Sequence, residues 1–247
     1  ILQEELRNTI SEYSAIGGAG IVMDVQTGEL IAMASLPDFD PNSPNQIIGD
    51  TTFNRATKGV YEMGSTFKLF TAAMALDTGT VTMKSGYDAT NPIRIARFAI
   101  SDYHAKNRWL SLPEIILHSS NIGAAKMAVD VGTNGQQDYL RRLGLLDAPD
   151  LELPEIGKPL LPSPWRPINT MTISYGHGIA VSPVQLANGI SVLVNGGIRR
   201  PVTIMKVKDG QSLGRRVLAE KTSLQMRRLM RLVVTGGTGR KAEVPGY

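Results

Sequence analysis

The sequence predicts an α/β protein of the α+β type: a sheet covered by helices, with a mostly helical subdomain over residues 62–145 and the sheet-containing part in residues 1–61 and 146–247. Three observations carry this. Two near-continuous apolar runs, Gly20-Ile21-Val22-Met23-Asp24-Val25 and Leu30-Ile31-Ala32-Met33-Ala34-Ser35, flank Gln26-Thr27-Gly28-Glu29 and read as a hairpin of a central sheet covered on both faces. The run Leu69-Phe70-Thr71-Ala72-Ala73-Met74-Ala75-Leu76 has no Gly or Pro and stops at Asp77-Thr78-Gly79, so it reads as a buried helix. Helix start and stop signals then follow one another closely between residues 111 and 144. With 247 residues, 42% hydrophobic and 19% charged, the chain suffices for one large or two intimate units with a real core.

Taken in order, Leu2, Leu6, Ile10 and Tyr13 predict an amphipathic helix over residues 2–13. The hairpin follows, then a Pro/Asn/Asp loop over residues 37–48. Residues 79–108 show little periodicity and are expected to be extended segments. Ser111 with Glu114 three residues on, and Pro113 in the first turn, signals a capping box and a short helix to His118. Ile122, Ala125, Met127, Ala128 and Val131 predict a second helix ending at Gly132, and Tyr139, Leu140 and Leu143 a third. Six prolines make residues 147–167 a rigid, irregular crossing. The glycines of Tyr175-Gly176-His177-Gly178 imply close packing or positive φ. Ser182-Pro183 opens a further helix, residues 202–207 read as a strand ending at Asp209-Gly210, and a last helix runs from Ser223 past Val233.

Composition narrows the chemistry. Lys+Arg number 26 and Asp+Glu 22, a net charge of +4, with the basic residues scattered and no aromatics between them. They read as solvated faces, so no nucleic-acid partner is expected. There is no cysteine, which excludes disulfides, a thiol nucleophile and thiolate-bound zinc. His104, His118 and His177 are too dispersed for a helical metal pair, and no cofactor is expected. No apolar run approaches the roughly 18 residues of a membrane span, and no signal peptide opens the chain, so it is expected to begin within a longer protein or to be cytosolic.

The chemistry-bearing stretch is Gly64-Ser65-Thr66-Phe67-Lys68. Residues three apart on a helix share a face, so Ser65 Oγ and Lys68 Nζ come within hydrogen-bond reach. A serine hydroxyl is a weak nucleophile until a neighbour takes its proton, and a lysine does so only when neutral. Phe67, Leu69, Phe70 and the positive end of the helix dipole are expected to lower the Lys68 pKa. Ser-x-x-Lys alone arises by chance about once in a chain of this size. Ser119-x-Asn121, about fifty residues on at a helix-to-helix turn, adds a hydroxyl that passes a proton and an amide that holds a lysine and a carbonyl.

Together these motifs resemble the Ser-x-x-Lys and Ser-x-Asn elements of the penicillin-recognising serine acyltransferases. Longer strings (Thr27-Gly28-Glu29-Leu30-Ile31-Ala32-Met33-Ala34-Ser35, Phe39-Asp40-Pro41-Asn42, Asn54-Arg55-Ala56, Ser174-Tyr175-Gly176-His177-Gly178-Ile179 and Gly237-Thr238-Gly239-Arg240-Lys241-Ala242) narrow it to class B penicillin-binding proteins, most like division-type peptidoglycan D,D-transpeptidases, with elongation-type relatives second. The resemblance spans residues 1–247 and implies the penicillin-binding-protein/serine β-lactamase-like fold. It implies that Ser65 attacks the D-Ala-D-Ala carbonyl of a stem peptide, that Lys68 is the base, Ser119 a proton relay, and Asn121 a positioning residue for Lys68 and substrate. Ser120, His177 and Gly178 are implied to line the substrate site. Peptidoglycan stem peptides, β-lactam antibiotics and other division or cell-wall synthesis proteins are the implied partners. The implied location is the periplasmic face of the inner membrane, held by an N-terminal anchor outside this chain.

One departure stands out. The family's third motif, Lys-Thr-Gly, occurs nowhere in the sequence, and the resemblance places it within about a dozen residues after Tyr247. That strand supplies a cation and an oxyanion N–H, and losing one oxyanion donor costs about 10²–10³ in rate. The expectation is a single incomplete transpeptidase domain lacking its C-terminal strands, which catalyses poorly or needs a further segment. Two alternatives stay open: a serine β-lactamase, although Glu152 and Glu155 lack the Glu-x-x-Leu-Asn spacing of its class A, and a non-catalytic β-lactam-sensing or scaffold domain.

Overall fold

The structure, a computed structural model, describes residues 1–43, 45, 47–95, 97–208 and 214–246. Helix α1 (Leu2–Glu12) packs on a hairpin of β1 (Gly18–Met23) and β2 (Leu30–Leu36), antiparallel with Gly18 opposite Leu36 and a bulge at Val22/Met23. Leu2, Leu6 and Ile10 press on Gly18 and Gly20 from one side. From the other, Ile21, Met23 and Leu30 join Leu151, Val184 and Val202 in a small core. The apolar run therefore reflects two covered faces, though near the turn Val22 and Ile31 stay exposed, so that cover is partial. Among the described residues the hairpin is a sheet of two strands, rather than the middle of a larger one.

The main core is built around α2 (Phe67–Asp77), of whose residues Phe67, Lys68, Phe70, Thr71, Ala72, Ala73, Met74, Ala75 and Leu76 are buried. Phe67 and Phe70 meet edge to face at 5.3 Å. The predicted extended stretch resolves into β3 (Gly86–Asp88), a β4–β5 hairpin (Ile93–Ile95, Phe98–Ile100) and β6 (Trp109–Ser111), which pairs with β3. Then come α3 (Leu112–Leu117), α4 (Asn121–Val131) and α5 (Thr133–Arg142). The capping box at Ser111 and Glu114 is formed. The proline-rich crossing leads to α6 (Pro167–Ile173) and then α7 (Pro183–Val194), itself opened by a Ser182–Gln185 capping box. Short β7 (Ile198–Arg199) pairs with β8 (Arg215–Arg216), and α8 (Glu220–Gly236) begins earlier than the expected Ser223. Its start is anchored by Asp77 from the end of α2, which accepts from Ala219 N and Thr222 Oγ1, each at 2.8 Å.

The strand expected over residues 202–207 does not form, and its expected end at Asp209-Gly210 lies outside the described residues. Carboxylates take two of the N–H groups, those of Ile204 and Val207, that a ladder would have used. Glu152 accepts from Thr203 Oγ1 at 2.6 Å and Ile204 N at 3.1 Å, and Glu29 accepts from Val207 N at 2.7 Å. Among the described residues of this stretch, Thr203 alone forms a β-bridge, an isolated parallel one to Glu29.

Candidate active site

Ser65 lies in the 3₁₀ turn Gly64–Thr66 that leads into α2, with Lys68 three residues further on. Ser65 is exposed while Lys68 is 3% exposed, so the hydroxyl faces solvent and the amine sits behind it. Lys68 Nζ lies 2.9 Å from Ser65 Oγ, 2.8 Å from Ser119 Oγ and 2.9 Å from Ser119 O. An ammonium has three N–H donors, and these oxygens take all three. Burial pushes the Lys68 amine down from 10.5 to about 8, with the Asp102 carboxylate pulling the other way.

Ser119 reaches Lys68 because of how α3 ends. Ser120 N bonds Ile115 O at 2.9 Å and Ser119 N bonds Ile116 O at 3.2 Å, the Schellman pattern, in which the residue after the cap turns left-handed. Glycine usually fills that position, yet here Ser119 does, at φ 56. A left-handed residue with a Cβ costs about 1 kcal/mol. In return one residue presents both a hydroxyl and a carbonyl to Lys68.

Ser120 does not line the cleft. It is 1% exposed, caps α4 by accepting from Gly123 N at 3.0 Å, and donates to Asp102 Oδ2 at 2.7 Å. Asn121 does not hold Lys68 either. Its Nδ2 donates to Ser101 O at 2.9 Å, and the lysine's donors are already satisfied. The glycine-rich turn after α6 packs against Gly64. Gly176 has φ +86 and lies so close to Gly64 that a Cβ there would collide with the Gly64 carbonyl, so glycine is required. Thr71 of α2 donates to Ser174 O at 2.9 Å, fixing the same turn. Glu62 accepts from Gly178 N at 2.6 Å and faces His177 Nδ1 at 3.2 Å. The Gly178 N–H holds the Glu62 carboxyl below its usual range. The exposed His177 and Gly178 thus stand beside the turn that carries Ser65.

Two residues of this arrangement, Asp102 and Glu62, were missed in the sequence. Glu62 is marked only by lying two positions before Gly64-Ser65, and Asp102 only by following the short apolar stretch 98–100. Neither position is periodic, and each acts on a partner distant in the chain.

An exposed serine hydroxyl bonded to a buried, partly neutral lysine at a helix start is the arrangement in which a serine can be activated as a nucleophile. The penicillin binding protein transpeptidase domain family matches residues 18–247. The chain is 45% identical over 249 residues to the "Probable peptidoglycan D,D-transpeptidase FtsI" of Caulobacter vibrioides, covering 99% of this chain and 42% of that protein. It is 34% identical to "Peptidoglycan D,D-transpeptidase FtsI" of Escherichia coli K12, covering 100% of this chain and again 42% of the relative. The apo structure of the TP domain from Burkholderia pseudomallei penicillin-binding protein 3 superposes with a TM-score of 0.88 at 32% identity, over 99% of this chain and 70% of that one. A Burkholderia ambifaria chain described as a peptidoglycan glycosyltransferase gives 0.89 at 32% identity, over 99% and 74%. The chain belongs to the penicillin-binding protein transpeptidase family. It spans 42% of the length of these curated relatives.

Proposed function

We propose that this chain is the transpeptidase domain of a division-type class B penicillin-binding protein, with its cleft between the helical part, 62–145, and the parts on either side. The observation that carries the reading is Lys68 Nζ, buried and 2.9 Å from the exposed Ser65 Oγ. Neutral Lys68 takes the Ser65 proton, and Oγ attacks the carbonyl carbon of the penultimate D-Ala of a stem peptide. The C–N bond to the terminal D-Ala breaks, and the proton passes from Lys68 through the Ser119 hydroxyl to the departing amine. The amine of a second stem peptide then attacks the ester, forms the cross-link and returns the proton to Ser65. A β-lactam carbonyl offers the same target and leaves Ser65 acylated. Asn121 and His177, beside this path, meet the substrate amide and its flanking groups.

The same reading sets the domain on the periplasmic face of the inner membrane, working with other cell-wall synthesis proteins. No described helix is long and apolar enough to cross a membrane. Hydrolytic turnover of penicillin is not favoured, because Glu152 is spent on Thr203 and Ile204 rather than on holding a water. Glycosyl transfer is normally built on carboxylates, not on a serine and a lysine. Incubation with D-Ala-D-Ala stem-peptide fragments tests the proposal: release of D-alanine with formation of cross-linked dimer supports it, and release of neither, or equal release by Ser65→Ala, refutes it.

A further inference from the structure

Asp102 precedes the Ser119 turn by seventeen residues yet organises it. Its Oδ2 accepts from Ser120 Oγ at 2.7 Å and its Oδ1 from Ile122 N at 2.9 Å, so one carboxylate satisfies a free N–H at the start of α4 and anchors the cap. Ser120 Oγ in turn accepts from Gly123 N, so the start of α4 hangs on the Asp102–Ser120 pair. Ser101, next to Asp102, gives its carbonyl to Asn121 Nδ2. Residues 101 and 102 thereby grip the two residues after Ser119, whose carbonyl and hydroxyl hold Lys68. A carboxylate at a helix N-terminus suits the positive end of the dipole there.

That charge is linked to Lys68 through Ser120 and the adjoining Ser119, which accepts from the amine. The two compensate in part: burial disfavours the ammonium, and Asp102 favours it. Other charged groups nearby are engaged elsewhere. Glu62 is turned to Gly178 and His177, and Glu114 is bound by Arg108 and Ser111. His118, at the end of α3, senses Lys106, Arg108 and Glu114.

We propose that Asp102 is a positioning residue of the site, which fixes the Ser119 turn through Ser120 and Ile122 and, as the counter-charge to Lys68, keeps that amine able both to take and to return a proton. The proposal rests on the acyl-transfer reading for its use, but its physical content is tested without any acylation.

The measurement is an NMR titration of the Lys68 side chain, ¹³C-labelled at Cε, in the wild-type chain and in Asp102→Asn. Loss of the counter-charge is expected to lower the Lys68 midpoint by about half to one pH unit, a roughly three- to tenfold weaker hold on its proton. Ser120→Ala, which loosens the cap but keeps the charge, is expected to move it less. A midpoint unchanged by Asp102→Asn overturns the proposal, as does an equal change in Ser120→Ala, because a merely structural role predicts either. If Asp102→Asn does not fold, the wild-type chain supplies the test: the Asp102 carboxyl ¹³C shift should step at the Lys68 midpoint, and a flat trace there overturns the proposal. Failure of the acyl-transfer reading shows separately, as absence of a penicillin adduct on a chain whose Lys68 titrates as described.

Discussion

Ser119 holds Lys68 with both its hydroxyl, at 2.8 Å, and its carbonyl, at 2.9 Å, and does so from a left-handed backbone at φ 56. The site thus takes the left-handed position that ends α3, where glycine is the comfortable residue, and fills it with a residue that has chemistry. A stability cost is accepted at this position.

Ser119→Gly and Ser119→Ala separate the two effects. Both lose the hydroxyl, but only alanine keeps a Cβ in the left-handed region. Ser119→Gly is expected to be more stable than Ser119→Ala by about 1 kcal/mol, while both lose β-lactam acylation by about 10²-fold or more. Urea unfolding and acylation rates check this, and an alanine variant as stable as the glycine variant counts against the backbone argument.

Acylation should follow the neutral fraction of Lys68. With burial setting the amine at about 8, the rate is expected to rise roughly tenfold per pH unit up to about pH 8 and then level off. Stopped-flow labelling with a fluorescent penicillin between pH 5.5 and 9.5 measures it. A profile flat across this range removes Lys68 from the role of base.

The same amine leaves a mark on stability. Its folded pKa lies below the unfolded value of 10.5, so below about pH 8 both states are charged and the fold bears the whole cost of the buried charge, about 3 kcal/mol. Between pH 8 and 10.5 the folded state sheds its proton first and the cost fades. Wild type measured against Lys68→Met should therefore gain stability as pH rises through this window. A difference that stays constant or shrinks contradicts burial as the dominant cause.

Gly176 is the structural counterpart of Ser65, because its left-handed φ and close approach to Gly64 set the turn that carries Ser65. Gly176→Ala adds a backbone clash to an unfavourable φ and is expected to cost about 2–4 kcal/mol. Thermal unfolding reads this directly, and acylation should slow as well. Gly64 itself has open space for a Cβ, so Gly64→Ala is expected to be milder, the φ of +56 being its main penalty.

Much of this was legible because it is local. Ser65 and Lys68 meet through helical spacing alone, the apolar run 69–76 could only be a buried helix, and the Ser111–Glu114 box and Ser182-Pro183 start state their own geometry. What could not be read depends on distant partners. Residues 202–207 have a strand's composition, but Glu152 and Glu29 claim their N–H groups from elsewhere in the chain. Ser120 lies between two site residues, and only the fold shows that Gly123 and Asp102 bury it as a cap. Asp102 and Glu62 follow the same rule, since each carboxylate is defined by the backbone N–H it accepts from far along the chain.

The central claim is that Ser65, with Lys68 behind it, is the acyl acceptor. Peptide mapping by mass spectrometry after incubation with benzylpenicillin tests it most directly. A single lasting adduct on the peptide that contains Ser65, absent from Ser65→Ala, is the expected result; an adduct on another residue, or a folded chain that forms none, contradicts it.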